Sequence, residues 1–262
     1  MAHSGINVLF SGSNFDRLLV CLWTSIWIAA LSIIIGLLIG TIFGVLRTMP
    51  NKIIRCILRV YMEIFRILPS VVLLYLVYYI LPRSLHINWP GSWMAVLAFS
   101  LWVAAEFSDI VRGALQSVPL AQKESGLALG LSKTQLFLYV LLPQAFKLEL
   151  PATINLATRV IKTTSILMLI SVMDVINVGQ QIIEANNQKF PTGVFWVYGL
   201  IFFFYFILIL QTKYLHIAIR HFIFQLCCCI FCTIKKRIIW IKNRGIYFSI
   251  SFIICCIVSV YY

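Results

Sequence analysis

The sequence is poor in charge, and above all in acidic residues. Charged side chains make up only 11% of its 262 residues, and no Asp or Glu follows Glu184. A soluble domain of this length needs a far more polar surface than that. Hydrophobic residues instead account for 61% of the chain and fall in long runs, giving a mean hydropathy of +0.97. The lack of charge therefore excludes an ordinary soluble protein and indicates an all-α, polytopic membrane bundle.

Two sequence patterns that catalysis would require are also missing. The chain contains no G-x-x-x-x-G-K-[ST] loop, so it lacks the usual cradle for ATP phosphates. Its four histidines stand at positions 3, 86, 216 and 221, outside the predicted core spans, and they form no convergent set with Asp or Glu. We therefore expect no catalytic residue, no bound cofactor and no metal site, which argues against a membrane-embedded enzyme.

Five hydrophobic runs are long enough to cross a bilayer core of roughly 30 Å, which takes about 20 helical residues. The basic residues behind the net charge of +13 cluster between these runs, as they do in cytoplasmic loops, so we do not expect nucleic acid as a partner. The positive-inside rule then places the amino terminus outside and the end of the fifth run inside. The five spans are predicted at 18–46, 58–81, 93–114, 150–172 and 193–210.

The first predicted span carries Gly36, Gly40 and Gly44 at a spacing that places them on one face of a helix. A face of small residues lets a second helix approach closely, where lipid gives no hydrophobic drive for association. This pattern favours a packed bundle. We divide the chain into an extracytoplasmic amino terminus at 1–17, a five-helix membrane domain at 18–217 and an atypical tail at 218–262.

The tail combines apolar segments with a strongly basic stretch and six of the eight cysteines of the chain. No His or acidic residue stands near those cysteines at the spacing of a metal site, so we interpret them as small apolar residues. We expect an interfacial segment, followed at 247–262 by an apolar stretch barely long enough for a sixth span.

The segment between the third and fourth predicted spans is the longest cytoplasmic one and carries ordered helix signals. Pro119 can open a helix, and Gly130 suits the left-handed backbone that ends one. Ser132 and Gln135 form a capping box for a second helix, which Pro143 is expected to stop. The sequence therefore predicts a helical hairpin below the membrane. Such a hairpin either docks into a groove of a soluble partner or rests on the bilayer, and its chemistry alone leaves both functions open.

This segment, at 117–146, contains a spaced set of residues that resembles the signature loop of importer permeases of the ATP-binding cassette class. The family signature is Glu-Ala-Ala, three residues, Gly, nine residues, then Ile-x-Leu-Pro. The Glu, the Gly and the Leu-Pro stand here at the same spacing, while small residues replace both alanines and Val replaces Ile. The matching positions are Glu124, Ser125, Gly126, Gly130, Val140, Leu142 and Pro143.

Four further segments are similar to the polar amino-acid branch of this family, of the histidine and glutamine permease type. The stretch 63–69 resembles Glu-x-Phe-Arg-Gly-Thr-Pro without its Gly-Thr, and 108–114 resembles Ala-Glu-Ile-x-Arg-Gly-Ala with Asp109 for Glu. Residues 116–119 match the stretch leading into the signature loop, and 162–165 are similar to Lys-Asp-Thr-Ser. The resemblance covers about 14–215 of the chain.

The resemblance implies a permease subunit of an ATP-driven amino-acid importer that works by alternating access in the bacterial cytoplasmic (inner) membrane. Such permeases pair with a second copy or with a related permease. Two separate ATPase subunits, which use ATP and Mg, dock on the hairpins, and an extracytoplasmic substrate-binding protein delivers the amino acid. The residues implied in ATPase coupling are Glu124, Ser125, Gly126, Gly130, Leu142 and Pro143.

Four ionisable residues inside the predicted spans are candidates for the substrate pathway, because charges within a bilayer are costly and often functional. Glu106 and Asp109 are three residues apart and so share one helix face, and Arg159 and Lys162 repeat this spacing. A path lined by both signs suits a zwitterionic amino acid. The alternative is that these groups pair with one another or reach the interface, and Asp109 has Arg112 one turn away.

Two other transport functions stay open at this point. One is an ATP-binding cassette permease for another small solute, which the hairpin alone does not exclude, although the flanking motifs favour amino acids. The other is a secondary transporter driven by an ion gradient, which would need inverted repeats and helices broken at mid-membrane. We find no convincing repeat between the two halves of the sequence. Trp93, Trp102 and Tyr198 could stack on a substrate, but we favour their interpretation as interfacial anchors.

Overall fold

The computed structural model describes residues 7–10, 12–86, 89–128, 130–186, 192–212 and 214. Within these ranges the chain is helical and contains no strand, which confirms the predicted all-α class. The chain divides into one unit at 1–214 and another at 215–262. The predicted tail, with its cysteines and its final apolar stretch, lies outside the described residues.

In the described part, four helices are long and apolar enough to cross a membrane, and a bent pair adds a fifth if it forms one span. The predicted polytopic bundle is therefore confirmed. In chain order the helices are α1 (Asn7–Phe10), α2 (Asn14–Leu46), α3 (Lys52–Ile67), α4 (Ser70–Ser84), α5 (Gly91–Ser117), α6 (Leu120–Ala128), α7 (Lys133–Ile170), α8 (Val175–Asn186) and α9 (Gly193–Thr212).

Helix α5 lies at the centre of the larger hydrophobic core and packs closely against α2. Phe99 and Val103 of α5 are almost fully buried, as an apolar helix is when neighbours surround it. A Cβ atom added to Gly36 of α2 would lie 2.5 Å from Val103, and one added to Gly44 would lie 2.6 Å from Val111. The predicted face of small residues is thus confirmed as the surface on which α2 contacts α5.

A second, smaller hydrophobic core joins the amino-terminal part of α2 to helices α8 and α9. Leu18 of α2 is fully buried there beside Val178 of α8 and Val197 of α9. Asp174, immediately before α8, is also fully buried and accepts a hydrogen bond from the hydroxyl of Ser25 on α2. The chain that follows the long helix α7 is therefore fixed against α2.

The predicted second span at 58–81 is corrected by the structure, because the run is broken. Helices α3 and α4 are bent by 106° at Leu68 and Pro69. Leu68 has an extended backbone, with ψ at 127°, and its N–H donates to the carbonyl of Ile64 at 3.1 Å. A residue that precedes proline is disfavoured in the helical conformation, so α3 ends there and α4 starts after Pro69. The pair can cross the membrane only as a bent unit.

The expectation that Pro143 stops the second hairpin helix is wrong. Pro143 lies in the first turn of the α-helical stretch Leu142–Thr163, directly after a π-helical turn at Phe137–Leu141. A proline in the first turn of a helical stretch fits the helical φ angle, and the wider π turn before it accommodates its missing N–H. The second helix of the hairpin and the fourth span are therefore one helix, α7, which begins at Lys133 and not near 150.

Candidate functional site

The predicted hairpin is formed by α6 and the start of α7, and the turn between them has the expected geometry. Gly130 adopts the left-handed conformation, with φ at +79°. The hydroxyl of Ser132 accepts from the N–H of Gln135 at 3.3 Å, and the side chain of Gln135 accepts from the N–H of Ser132 at 3.0 Å. This reciprocal pair is the capping box that the sequence predicts.

Gly126 lies in the interior of the hairpin, against the end of the Leu136 side chain. This residue is buried, and a Cβ atom there would collide with the side chain of Leu136. The N–H of Leu131 donates to the carbonyl of Gly126 at 3.2 Å, which closes the turn. Gly126 therefore supports the hairpin from within, while Glu124 and Ser125 on the same helix are exposed. Leu142 and Pro143 are half-buried at the start of the membrane part of α7.

Asp109 of α5 lies among three arginines from three different places in the chain. Its carboxylate is 3.1 Å from the guanidinium of Arg66 on α3 and 3.3 Å from that of Arg112, one turn along α5. Arg47, just after α2, approaches the same carboxylate at 3.3 Å. The pairing with Arg112 is expected from the sequence, because the two residues are one helical turn apart. The other two arginines are 43 and 62 residues away along the chain, so only the folded structure brings them together.

Glu106 of α5 is held by arginines from two neighbouring helices. Its carboxylate is 3.1 Å from the guanidinium of Arg159 on α7 and 3.9 Å from that of Arg66 on α3. We refer to this set of six charged residues as the arginine–carboxylate network. Its members are Arg47, Arg66, Glu106, Asp109, Arg112 and Arg159.

Arg47 is the buried member of the network, with 7% of its side chain exposed. Burial lowers the pKa of the Arg47 guanidinium, and the positive charge of Arg112 lowers it further, whereas Asp109 raises it. Because an arginine stays protonated in proteins, the ion pair with Asp109 stabilises a charge that burial would otherwise disfavour. The end of α2 is thereby joined to α5.

The network includes three of the four residues predicted to line a pathway. Glu106, Asp109 and Arg159 lie together, but Lys162 is exposed, and in the described ranges no carboxylate lies within 4.0 Å of it. Trp102 is also corrected, because it is buried in the bundle beneath the Arg159 guanidinium, 5.6 Å from its ring centre, and is not an interfacial anchor. Such a cation–π contact orients the arginine.

A cavity of about 340 Å³ lies beside the network and contains a residue that the sequence analysis missed. Arg66, Glu106 and Asp109 line it together with Glu149, a buried carboxyl on α7. Glu149 stands one residue before the predicted fourth span, so its burial is not expected from the sequence. The signal that could have identified it is an acidic residue flanked by Leu148 and Leu150 in a chain with few acids.

Both signs of charge therefore meet in one cavity among α3, α5 and α7. Such a place can bind a small molecule that carries a carboxylate and a positively charged nitrogen, since each would find an opposite charge. A helical membrane bundle that encloses charged groups is typical of proteins that move ions or solutes across a membrane.

The chain belongs to the family of binding-protein-dependent transport system inner membrane components, whose model matches residues 23–221. This match confirms the resemblance drawn from the signature loop. It also confirms that the chain is a transport subunit and not an enzyme.

Curated relatives of similar length are permease proteins of amino-acid transport systems. The nopaline transport system permease protein NocM of Agrobacterium fabrum is 32% identical over 200 residues, which cover 73% of this chain and 82% of the relative. The glutamate/aspartate import permease protein GltJ of Escherichia coli strain K12 is 30% identical over 170 residues, which cover 58% of this chain and 69% of the relative. The arginine ABC transporter permease protein ArtQ of Haemophilus influenzae is 31% identical over 169 residues, which cover 62% of this chain and 76% of the relative.

Solved structures of ATP-binding cassette transporters share the fold. The crystal structure of an amino acid ABC transporter with histidines matches with a TM-score of 0.69 and 24% identity, covering 79% of this chain and 94% of that one. An inward-facing structure of the MetNI methionine ABC transporter matches with a TM-score of 0.64 and 19% identity, covering 81% and 99%.

Proposed function

We propose that this chain is the permease subunit of an ATP-driven importer for a polar amino acid. The family match supports a permease, and the similarity to permease proteins for arginine and for glutamate and aspartate supports an amino-acid cargo. The network and its cavity supply the charged groups that such a cargo would contact. Glu106, Asp109 and Arg159 are proposed to line the pathway, with exposed Lys162 further along α7.

The observation that carries the proposed ATP coupling is the hairpin and its direct continuation into α7. A separate ATPase that docks on the exposed face of α6 would move the first turn of α7, because a tight capped turn joins the two. Since α7 also carries Arg159, the same motion would change the surroundings of Glu106 and so the access to the cavity. Alternating access is proposed to follow from this connection.

The proposed complex contains two permease chains, two ATPase subunits and an extracytoplasmic substrate-binding protein, in the bacterial cytoplasmic membrane. ATP and Mg are used by the ATPase. The proposed permease domain is 18–217, preceded by an extracytoplasmic segment at 1–17 and followed by the tail at 218–262. Glu124, Ser125, Gly126, Gly130, Leu142 and Pro143 remain the proposed coupling residues.

The docking assignment predicts that Glu124→Ala weakens the complex. Glu124 is exposed on α6, so its truncation changes the surface that would contact the ATPase and leaves the hairpin interior intact. We expect recovery of the ATPase with the tagged, detergent-purified permease to fall at least about fivefold, the effect of losing roughly 1 kcal/mol at an interface. Quantitative mass spectrometry of the purified material gives the ratio of the two subunits.

Gln122→Ala is the matched control, because Gln122 is also exposed on α6 but points to another side of the helix. This variant should co-purify with the ATPase as the unchanged chain does. Normal recovery of the ATPase with Glu124→Ala would contradict the assignment of the docking face. A stable chain that never yields an ATPase would contradict the importer itself and favour an ion-driven transporter.

A further inference from the structure

Glu149 is a buried carboxyl at the wall of the cavity beside the network. Only 6% of the residue is exposed, and it lines the cavity with Leu148 and Ala152 of α7. An ionised carboxylate in such surroundings is costly unless a charge or hydrogen-bond donor compensates it. The question is which group compensates Glu149.

No described residue compensates the charge of the Glu149 carboxylate. The hydroxyl of Thr153 donates to the main-chain carbonyl of Glu149 at 2.9 Å and leaves the carboxylate untouched. None of the ion pairs among the described residues includes Glu149, whereas the other two acids of the cavity are both paired with arginine. Among the three acidic residues in the lining, Glu149 alone has no ion pair with a described residue, so both of its carboxylate oxygens can accept hydrogen bonds from a molecule in the cavity.

Arg66, the arginine in the lining, contacts the network through its Nη1 and Nε atoms, and its Nη2 group is in neither ion pair. Arg66 lies 3.1 Å from Asp109 and 3.9 Å from Glu106, and these contacts hold it on the α5 side of the cavity. The space that remains, about 340 Å³ in all, is at the small end of the range of ligand pockets. It is bounded partly by Gly113, where an added Cβ atom would meet nothing within 4 Å.

We propose that Glu149 binds a positively charged nitrogen group of the cargo, an ammonium or a guanidinium, inside this cavity. The inference rests on the proposed function, since it takes the cargo to be an amino acid. The carboxylate would accept charge-assisted hydrogen bonds from the N–H groups, while Arg66 at the same wall offers N–H donors to the carboxylate of the molecule. The positive group is either the α-ammonium of any amino acid or the side chain of a cationic one.

The test compares the detergent-purified complex of permease and ATPase, without the substrate-binding protein, with its Glu149→Gln and Glu149→Asp variants, using radiolabelled arginine and radiolabelled glutamine as probes. Gln keeps the shape but removes the charge, and Asp keeps the charge on a shorter side chain. We expect Glu149→Gln to bind arginine at least about tenfold more weakly, the loss of one charge-assisted hydrogen bond. Glu149→Asp should lie between Gln and the unchanged complex. Glu184→Gln, an exposed carboxyl on α8, is the matched control and should bind normally.

The two probes separate the two sources of positive charge. A loss confined to arginine assigns Glu149 to the side chain of a cationic amino acid, and an equal loss for both probes assigns it to the α-ammonium. Equal affinities of the unchanged complex and Glu149→Gln for both probes would overturn the proposal. If the unchanged complex takes up no amino acid in proteoliposomes with ATP, the proposed function fails, which is a different result.

A second measurement needs no variant. Dicyclohexylcarbodiimide modifies carboxyl groups in apolar surroundings, and peptide mass spectrometry can measure its addition to Glu149 in the unchanged complex. Saturating arginine should slow this addition at least about fivefold if cargo covers the carboxyl. A rate that neither arginine nor glutamine changes would contradict the proposal, even if Glu149→Gln fails to assemble.

Discussion

Asp174 shows how a single carboxyl can hold two helices together. It is fully buried before α8 and accepts hydrogen bonds from the hydroxyl of Ser25 and, at 3.4 Å, from the N–H of Ile176. Burial raises the pKa of the Asp174 carboxyl, and these donors oppose the rise. A buried acceptor that loses a donor carries the full cost of its desolvation.

We predict that Ser25→Ala destabilises the protein by about 1–3 kcal/mol, because the Asp174 carboxyl loses its hydroxyl donor. Asp174→Asn should also lose stability, because the hydroxyl of Ser25 and the N–H of Ile176 donate to different carboxylate oxygens and an amide keeps only one of them. Thermal unfolding of both variants in detergent measures the difference. A Ser25→Ala variant as stable as the unchanged chain would show that the contact contributes nothing.

Residue types alone identified only some of the charged groups that matter. Glu106 and Asp109 could be found in the sequence because a charge inside an apolar run stands out. Two of the arginine partners, Arg66 and Arg47, could not be found in the same way, because they reach Asp109 only after three helices have packed. Glu149 was missed for a related reason, since its burial depends on how α7 lies against α5 and not on its neighbours in sequence.

At the scale of the helices, the contact of α2 with α5 gives a second prediction. A Cβ atom on Gly40 would lie 2.9 Å from the carbonyl oxygen of Ala104, and backbone cannot move aside as a side chain can. Gly40→Ala should therefore destabilise the protein by about 1–3 kcal/mol, the usual cost of overpacking, although alanine is the better helix former. Thermal unfolding in detergent and the yield of folded protein measure this loss.

Gly199→Ala on α9 is the control for this prediction. An added Cβ atom there meets nothing within 4 Å, so only the gain in helix propensity remains. This variant should be at least as stable as the unchanged chain. Equal effects of the two substitutions would mean that α2 and α5 are not in close contact.

Some helix boundaries could be predicted from the sequence, and those near two prolines could not. Gly130, Ser132 and Gln135 were predicted correctly because a turn and a cap depend on residues within a few positions of one another. Pro143 was expected to end a helix, and Pro69 to lie within one, and both expectations were wrong. A proline permits a stop, a bend or a first turn, and the packing of the surrounding helices decides among them.

For the whole molecule, the arginine–carboxylate network connects α5 with helices before and after it. We predict that Glu106→Gln and Arg159→Gln are coupled, so that the double variant is less destabilised than the sum of the single ones by at least about 0.5 kcal/mol. The reason is that either change alone removes the 3.1 Å ion pair, which leaves Arg159 without its carboxylate in one variant and Glu106 with only its 3.9 Å contact to Arg66 in the other. Thermal unfolding of the four proteins gives the coupling energy.

Lys162→Gln supplies the comparison for this cycle, because Lys162 lies one turn from Arg159 on α7 without an ion pair among the described residues. Glu106→Gln and Lys162→Gln should be additive within about 0.5 kcal/mol. Coupling of Lys162 to Glu106 as strong as that of Arg159 would mean that the network acts as a diffuse field and not through specific pairs.

The class of fold was predictable as a whole, while the way its parts meet was not. Hydropathy predicted the membrane helices, because each must satisfy its own backbone within lipid. The hairpin was predicted from local signals, and the family from the spacing of Glu124, Gly130 and Pro143. The cavity could not be predicted, since its wall is formed by Arg66, Glu106 and Glu149 from three separate helices.

The unbroken course of α7 has a mechanical consequence. A helix of 38 residues is roughly 57 Å long at 1.5 Å per residue. Pivoting such a rod by about 10° shifts one end by roughly 10 Å relative to the other. A movement at Lys133 would thus be passed along α7, with no loop in between, to Arg159 and its ion pair with Glu106.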